Sequence, residues 1–198
     1  VQNLGLDLPD SVIALECKGI RVIFPDGTAR LLSEEGFVLE KHLFGRWIAD
    51  EAISAGAELH LGHKVTNMAR NFNSENKFSN WKIDGKGEQF PITTKVVIDA
   101  SGVAGVSSRL LGMEEDIEVI AGFQYEMHDV PNDGYLDFYL WPKYSPYGYV
   151  WMIPKDEGRA NVGLVTTEKK GAIKYLDNFV EDTYLSENPK ANPPWRDD

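Results

Sequence analysis

Apolar and polar positions alternate with period two over most of the chain, and two stretches shift to a helical repeat. Gly-Ile-Arg-Val-Ile-Phe at 19–24 breaks at Pro25-Asp26-Gly27 and resumes from Thr28 to Leu32, the pattern of a β-hairpin. From Glu40 to Ala55, Phe44, Ile48 and Ala52 fall at helical spacing with Leu43, Trp47 and Ala55 beside them, and Gly56 stands where such a helix stops. Ala57 to Leu61 reads as a short strand, and Lys64–Phe72, Phe78–Asp84 and Gln89–Thr94 as a meander. Lys95-Val96-Val97-Ile98-Asp99 is a continuous apolar run, which predicts a strand buried on both faces of a parallel sheet. Ala100 to Gly105 then turns into a helix reaching Leu111, with Gly112 as its cap.

The second half is nearly all strand. Ile117–His128, Tyr135–Trp141, Gly148–Ile153 and Arg159–Thr167 are separated by turns rich in Pro, Asn, Asp and Gly, which predicts an antiparallel sheet. Residues 171 to 185 form an amphipathic helix with Ile173, Leu176, Val180 and Tyr184 on one face, and the proline-rich stretch 188–198 reads as a frayed tail. Three parts follow: a partial nucleotide-binding region over 1–112, an antiparallel-sheet domain with its closing helix over 113–187, and the tail. The fold class is α+β, an antiparallel sheet with helices plus part of a nucleotide-binding α/β domain.

Twenty Lys and Arg against thirty-one Asp and Glu leave a net charge of -11 over 198 residues, the wrong sign for a protein that neutralises phosphates, so nucleic acid is excluded as a partner. One cysteine, Cys17, offers neither a disulfide nor a zinc pattern; it reads as a buried apolar residue of a protein from the reducing cytosol. The acidic Glu114 to Asp116 reads as a solvated loop and no metal site is expected. His60 and His63 lack a third ligand, and Ser107 and Ser108 lack the second glycine of a nucleophile elbow, which sets hydrolase chemistry aside.

Two segments carry candidate chemistry. The run into Ala100-x-Gly102-x-x-Gly105 has the outline of a dinucleotide fingerprint, with Ala in place of the first Gly; the same small residues also suit a strand-to-helix turn that only needs close packing. In Pro146-Tyr147-Gly148-Tyr149-Val150-Trp151-Met152-Ile153-Pro154-Lys155, alternation sets Tyr149, Trp151 and Ile153 on one face. Tyr135, Asp137, Tyr139 and Trp141 share a face of the preceding strand, so a hairpin through 142–147 would assemble an aromatic wall, either core or ligand surface.

In order along the chain, these segments resemble known flavoproteins. Val96 to Val103, continued by Ser108-Arg109-Leu110-Leu111-Gly112, resembles the central flavin motif of the aromatic-hydroxylase-like enzymes. Pro146-x-x-Tyr149-x-Trp151-x-x-Pro154-Lys155 with Ala160-Asn161-Val162-Gly163-Leu164 resembles the signature of the geranylgeranyl reductase family, digeranylgeranylglycerophospholipid reductases included. Gly36-Phe37-Val38-Leu39-Glu40-Lys41, with its following helix, is similar to a third segment of that family. Ser101 stands where the family usually has Asp, whose carboxylate contacts the flavin ribose; Gly105 replaces Ser, Lys41 replaces Arg and Ile153 replaces Phe.

The resemblance implies an FAD-dependent oxidoreductase that saturates prenyl double bonds of isoprenoid lipids. It implies cofactor contacts at Lys41, Asp99, Ser101, Gly102, Gly105 and Arg109, and a prenyl channel lined by Tyr139, Trp141, Pro146, Tyr149, Trp151, Pro154 and Lys155. Hydride delivery to an unactivated alkene builds positive charge at carbon, and Tyr149 and Trp151 are the expected catalytic pair, each ring face contributing about 0.5 to 2 kcal/mol. A flavin monooxygenase or quinone oxidoreductase of the same fold, and a non-catalytic lipid-binding module, are the alternatives. The family's N-terminal Gly-x-Gly-x-x-Gly and C-terminal Gly-Asp motifs are not in this sequence, so the expectation is a middle portion that holds FAD weakly or not at all and is inactive by itself. Lipid substrates imply peripheral membrane association, against which -11 repels anionic lipid. The electron donor, the prenyl substrate and the number of bonds reduced stay open.

Overall fold

In a computed structural model of the chain, which describes residues 5–33, 35–113, 119–168 and 170–185, strands and helices follow the predicted order closely. They are β1 (Ile13–Cys17), β2 (Gly19–Ile23), β3 (Ala29–Leu32), β4 (Gly36–Leu39), α1 (Lys41–Ser54), β5 (Lys64–Phe72), β6 (Phe78–Lys86), β7 (Ile92–Thr94) and α2 (Val106–Leu111). Then come β8 (Ala121–Met127), β9 (Tyr135–Tyr139), β10 (Tyr149–Pro154), β11 (Ala160–Thr166) and α3 (Ala172–Val180), which runs into a wider turn over Glu181–Leu185. The acidic stretch 114–116 and the tail 188–198 lie outside the described residues. The contacts divide the chain into two units, 1–51 with 120–198, and 52–119.

The larger unit is built on a six-stranded sheet in the order β3-β2-β9-β10-β11-β8. The turn at Pro25-Asp26-Gly27 closes the β2–β3 hairpin, where Asp26 accepts from both the amide and the hydroxyl of Thr28. The sheet is not wholly antiparallel as expected: β2 joins it parallel to β9, with Arg21 opposite Asp137. The reason is electrostatic as well as apolar. The buried Arg21 donates to Asp137, itself 0% exposed, at 2.7 and 3.1 Å, and to Asp133 at 2.6 and 3.0 Å. This long-range pairing also places the first hairpin in the sheet unit, so the structural division differs from the split near residue 112 read from the sequence.

One face of the sheet forms the main core. Ile23, Tyr139, Val150, Met152, Val162 and Leu164 pack there with Leu176, Phe179 and Val180. The helix face differs from expectation at one position: Ile173 is half exposed, and Phe179 is buried in its stead against Tyr139 and Tyr144. A smaller cluster of Ala14, Cys17 and Val38, from the β1–β4 pair, packs with Leu136 and Ile153 of the opposite face, so the cysteine is buried as predicted.

In the smaller unit, β5, β6 and β7 make the expected meander. Two expected strands are absent. Ala57 to His60 is coil leading to a turn at Leu61-Gly62, and Lys95 to Asp99 is a bend followed by irregular chain, in no strand among the described residues, with Val96 71% and Ile98 88% exposed. A run becomes a strand only where another edge supplies its ladder bonds, and no described segment does so here. Among the described residues no helix is long and apolar enough to cross a membrane.

Candidate functional site

The face of the six-stranded sheet opposite α3 carries a row of aromatic side chains. Register sets it: Trp151 of β10 pairs with Phe138 of β9 and with Gly163 of β11, which in turn pairs with Gln124 of β8. These four residues therefore share one face. Phe138 meets Tyr149 edge-on at 5.6 Å, and Tyr149 lies 6.0 Å from Trp151 between ring centroids. The indole lies across β11. A Cβ built on Gly163 would come within 2.5 Å of its Cζ2, and its Nε1–H donates to Gln124 Oε1 at 3.1 Å. Glycine at 163 is thus what lets the ring lie flat.

The single aromatic wall expected from the hairpin is instead two. Tyr139 pairs with Val150, one position out of step with Tyr149, so Tyr139 and Trp141 belong to the core face with Phe179 and Tyr144. Tyr139 is 0% exposed and Pro154 is buried, so neither reaches the open face as a prenyl contact; the nine-residue turn region between the strands fixes that register. Pro146 sits in the turn, where its carbonyl accepts from Thr166 Oγ1 at 2.6 Å and Ser145 Oγ donates to the Val165 carbonyl at 2.6 Å. Gly148 closes this turn, because any Cβ there would overlap the Val165 carbonyl.

At the far end of the same face, a cleft of about 690 Å³ is lined by Glu40, Lys41, Gln124, Glu126, Lys155, Arg159 and Asn161 among others. Lys155, only 5% exposed, gives its ammonium to Glu126 at 2.7 Å and Glu40 at 3.0 Å. Burial alone would lower its pKa; the two carboxylates outweigh that and hold it above the ordinary lysine range. Arg159 contacts Glu40 at 2.9 Å, Glu126 at 3.3 Å, and Asp156. Burial pushes Glu40 up, yet the cations leave it below the ordinary carboxylate range, and the bond from Lys155 lowers Glu126 likewise. Lys155 is therefore committed to an internal ion network and is not a free cation at the strand end. Lys41, the first residue of α1, is exposed in this cleft, and Asn161 Oδ1 is buried without a hydrogen-bond partner among the described residues.

In the smaller unit, a cleft of about 620 Å³ includes Asp99, Ala100, Ser101, Ser107 and Arg109 in its walls. Gly102 and Gly105 have φ of +62° and +47°, and Gly102 has open space where a Cβ would stand. Asp99 accepts from the Ser101 amide at 2.9 Å, and from the Ser107 amide and hydroxyl at 2.8 and 2.6 Å. The hydroxyls of Ser101 and then Ser107, followed by the two amides, hold its carboxyl far below the usual range. Ser101 Oγ accepts from the Val106 amide at 3.0 Å. Both polar side chains thus shape the turn and cap α2.

Sequence reasoning missed Gln124, Glu126 and Glu40 as members of these sites. Alternation along Phe123-Gln124-Tyr125-Glu126 was the available signal: both polar residues share the face that carries Trp151.

Comparison with known proteins places these features in a family context. Residues 116–192 match the geranylgeranyl reductase catalytic domain. Over 194 residues the chain is 32% identical to a digeranylgeranylglycerophospholipid reductase of Methanosarcina acetivorans, covering 89% of this chain and 46% of that protein. A geranylgeranyl bacteriochlorophyll reductase-like protein of Thermoplasma acidophilum, solved by crystallography, is 30% identical with a TM-score of 0.82 over 92% of this chain and 49% of its own. A flavoprotein/dehydrogenase of Cytophaga hutchinsonii, 16% identical with a TM-score of 0.67 over 89% of this chain and 47% of its own, shares the fold. The chain spans about half the length of the curated relatives it matches.

Proposed function

Because the chain belongs to the geranylgeranyl reductase family, we propose that it forms part of an FAD-dependent reductase that saturates isolated double bonds in the prenyl chains of isoprenoid glycerolipids. The observation that carries this reading is the open aromatic row Phe138, Tyr149 and Trp151, which lies on a sheet within the catalytic-domain match. Flat ring faces suit a hydrocarbon chain, and they stabilise cationic character at carbon better than aliphatic walls do. Tyr149 and Trp151 are the proposed catalytic pair. Trp141 packs on the core face, which argues for a supporting part behind the wall, and Pro146 is proposed to shape its rim.

The polar cleft fits a flavin. Asn161 Oδ1 is a buried acceptor in want of a donor, which the N–H groups of a flavin ring provide, and the exposed Lys41 suits an anionic portion of the cofactor. Within the smaller unit taken by itself, the open backbone at Gly102 and Gly105 and the cation of Arg109 suit contact with an anionic cofactor group, while Asp99 and Ser101 hold the turn in shape. When bound in its reduced form, FAD supplies hydride. The protein supplies an aromatic surface and the ion network of Lys155 that braces the cleft wall. Peripheral association with a membrane gives access to the lipid.

The test uses the flavin-loaded full-length reductase of which this chain forms part, with dithionite as reductant and a digeranylgeranyl glycerophospholipid in detergent. Mass spectrometry should show a gain of two hydrogens per saturated bond, lost in Trp151→Ala. No hydrogenation by the unaltered protein, or oxygen-dependent hydroxylation instead, would overturn the reading.

A further inference from the structure

We infer that Gln124 is a positioning residue: its amide oxygen, with the bare backbone of Gly163, holds the Trp151 indole flat against the sheet. The inference rests on the reductase reading for its function, and on geometry alone for the anchor itself. Trp151, Gly163 and Gln124 are consecutive partners across three strands, so the indole bridges from β10 over β11 to reach β8. Adjacent strands lie about 4.8 Å apart, which places Gln124 nearly two spacings from the Trp151 backbone, the reach of an extended indole. Gly163 leaves the path clear. A Cβ there would meet ring carbons at 2.5 and 2.6 Å and lift the ring off the sheet.

The hydrogen bond also settles which part of the indole meets the lipid. The only donor of the ring is Nε1–H, and it points along the sheet to Gln124. What faces outward is the π surface, free of any polar group that a hydrocarbon chain would leave unsatisfied. Without the acceptor, the N–H turns toward the prenyl surface or the ring rotates about χ2. Either way the indole leaves its present orientation, tilted 58° to Tyr149, its neighbour at 6.0 Å. Gln124 stands on β8, an edge strand, and is itself exposed, so its replacement leaves the core untouched.

The experiment compares Gln124→Leu, which removes the acceptor, with Gln124→Glu, which keeps one, in the flavin-loaded full-length reductase of which this chain forms part. The sequence has five tryptophans, and the indole N–H resonance of Trp151 is identified in a nitrogen-15 spectrum by its disappearance in Trp151→Phe. In Gln124→Leu that resonance should move upfield, and kcat/KM for the prenyl lipid should fall about tenfold, mostly through KM, the factor set by one ordinary hydrogen bond. Gln124→Glu should keep the resonance downfield and recover activity to within about threefold. An unmoved Trp151 resonance in Gln124→Leu, or an equal loss of kcat/KM in both variants, would overturn the anchor. If the unaltered protein reduces no prenyl lipid, the reductase reading falls while the resonance still decides whether Gln124 holds the ring.

Discussion

Replacing either member of the buried Arg21–Asp137 pair tests how the parallel edge of the sheet is held. Asp137 is 0% exposed and accepts two bonds from the guanidinium at 2.7 and 3.1 Å, the charge-assisted fork that arginine makes with a carboxylate. Asp137→Ala leaves Arg21 buried but still paired with Asp133 at 2.6 and 3.0 Å. The cost should therefore fall at the lower end of the range for a broken buried pair, about 3 kcal/mol. Arg21→Met takes the guanidinium away from both Asp137 and Asp133, so the upper end, about 5 kcal/mol, applies. With a urea slope of about 2 kcal/mol per molar, the midpoints should drop by about 1.5 and 2.5 M. The double variant, Arg21→Met with Asp137→Val, buries no charge and should recover most of the loss. The assay is urea unfolding at neutral pH, followed by circular dichroism and tryptophan emission together. Single variants that each lose under about 1 kcal/mol, or a double variant no more stable than the worse single one, would refute the reasoning.

Other outcomes follow from the same geometry. Gly148→Ala drives a methyl into the Val165 carbonyl and should destabilise the protein by about 1 to 3 kcal/mol, read as a fall in the thermal midpoint. Glu40, Glu126 and Asp133 are held below their ordinary values of 4.5, 4.5 and 3.8; Asp133 is raised by burial but lowered further by Arg21. As pH falls, the unfolded chain takes up protons at these groups before the folded protein does, so stability is full above about pH 5 and drains away below it; Glu40→Gln with Glu126→Gln should make that decline shallower in unfolding measured against pH. Asp99→Ala removes the acceptor of the Ser101 and Ser107 amides, and both should exchange with deuterium faster than in the unaltered protein.

Local patterns carried the elements, and partners across long distances decided what the elements became. The hairpin at 19–32, the strand at 64–72 and the helix from 41 announced themselves through turn residues and periodicity, which act within a few positions. Lys95 to Asp99 has the composition of a buried strand, but its pairing depends on edges that its own residues do not specify, and Val96 and Ile98 stand exposed. The aromatic wall was misjudged by one step of register. Alternation gives the faces of each strand, yet whether Tyr139 shares a face with Tyr149 or with Val150 depends on the geometry of the turn between them. Trp151 was legible from its motif; Gln124, two strands away from it, was not, since alternation gives its face but the neighbour it reaches depends on the sheet order.

The parallel seating of β2 beside β9 imposes a schedule on synthesis. Arg21 and Asp137 are 116 residues apart, so at about 5 to 20 residues per second the first hairpin waits roughly 6 to 23 seconds for its partner strand to be made. During that interval the edge of β2, carrying Ile20, Val22 and Ile23, has no ladder partner on the side that β9 later occupies. An edge of that kind recruits other strands, and at high expression rates this hairpin is where aggregation of nascent chains should begin.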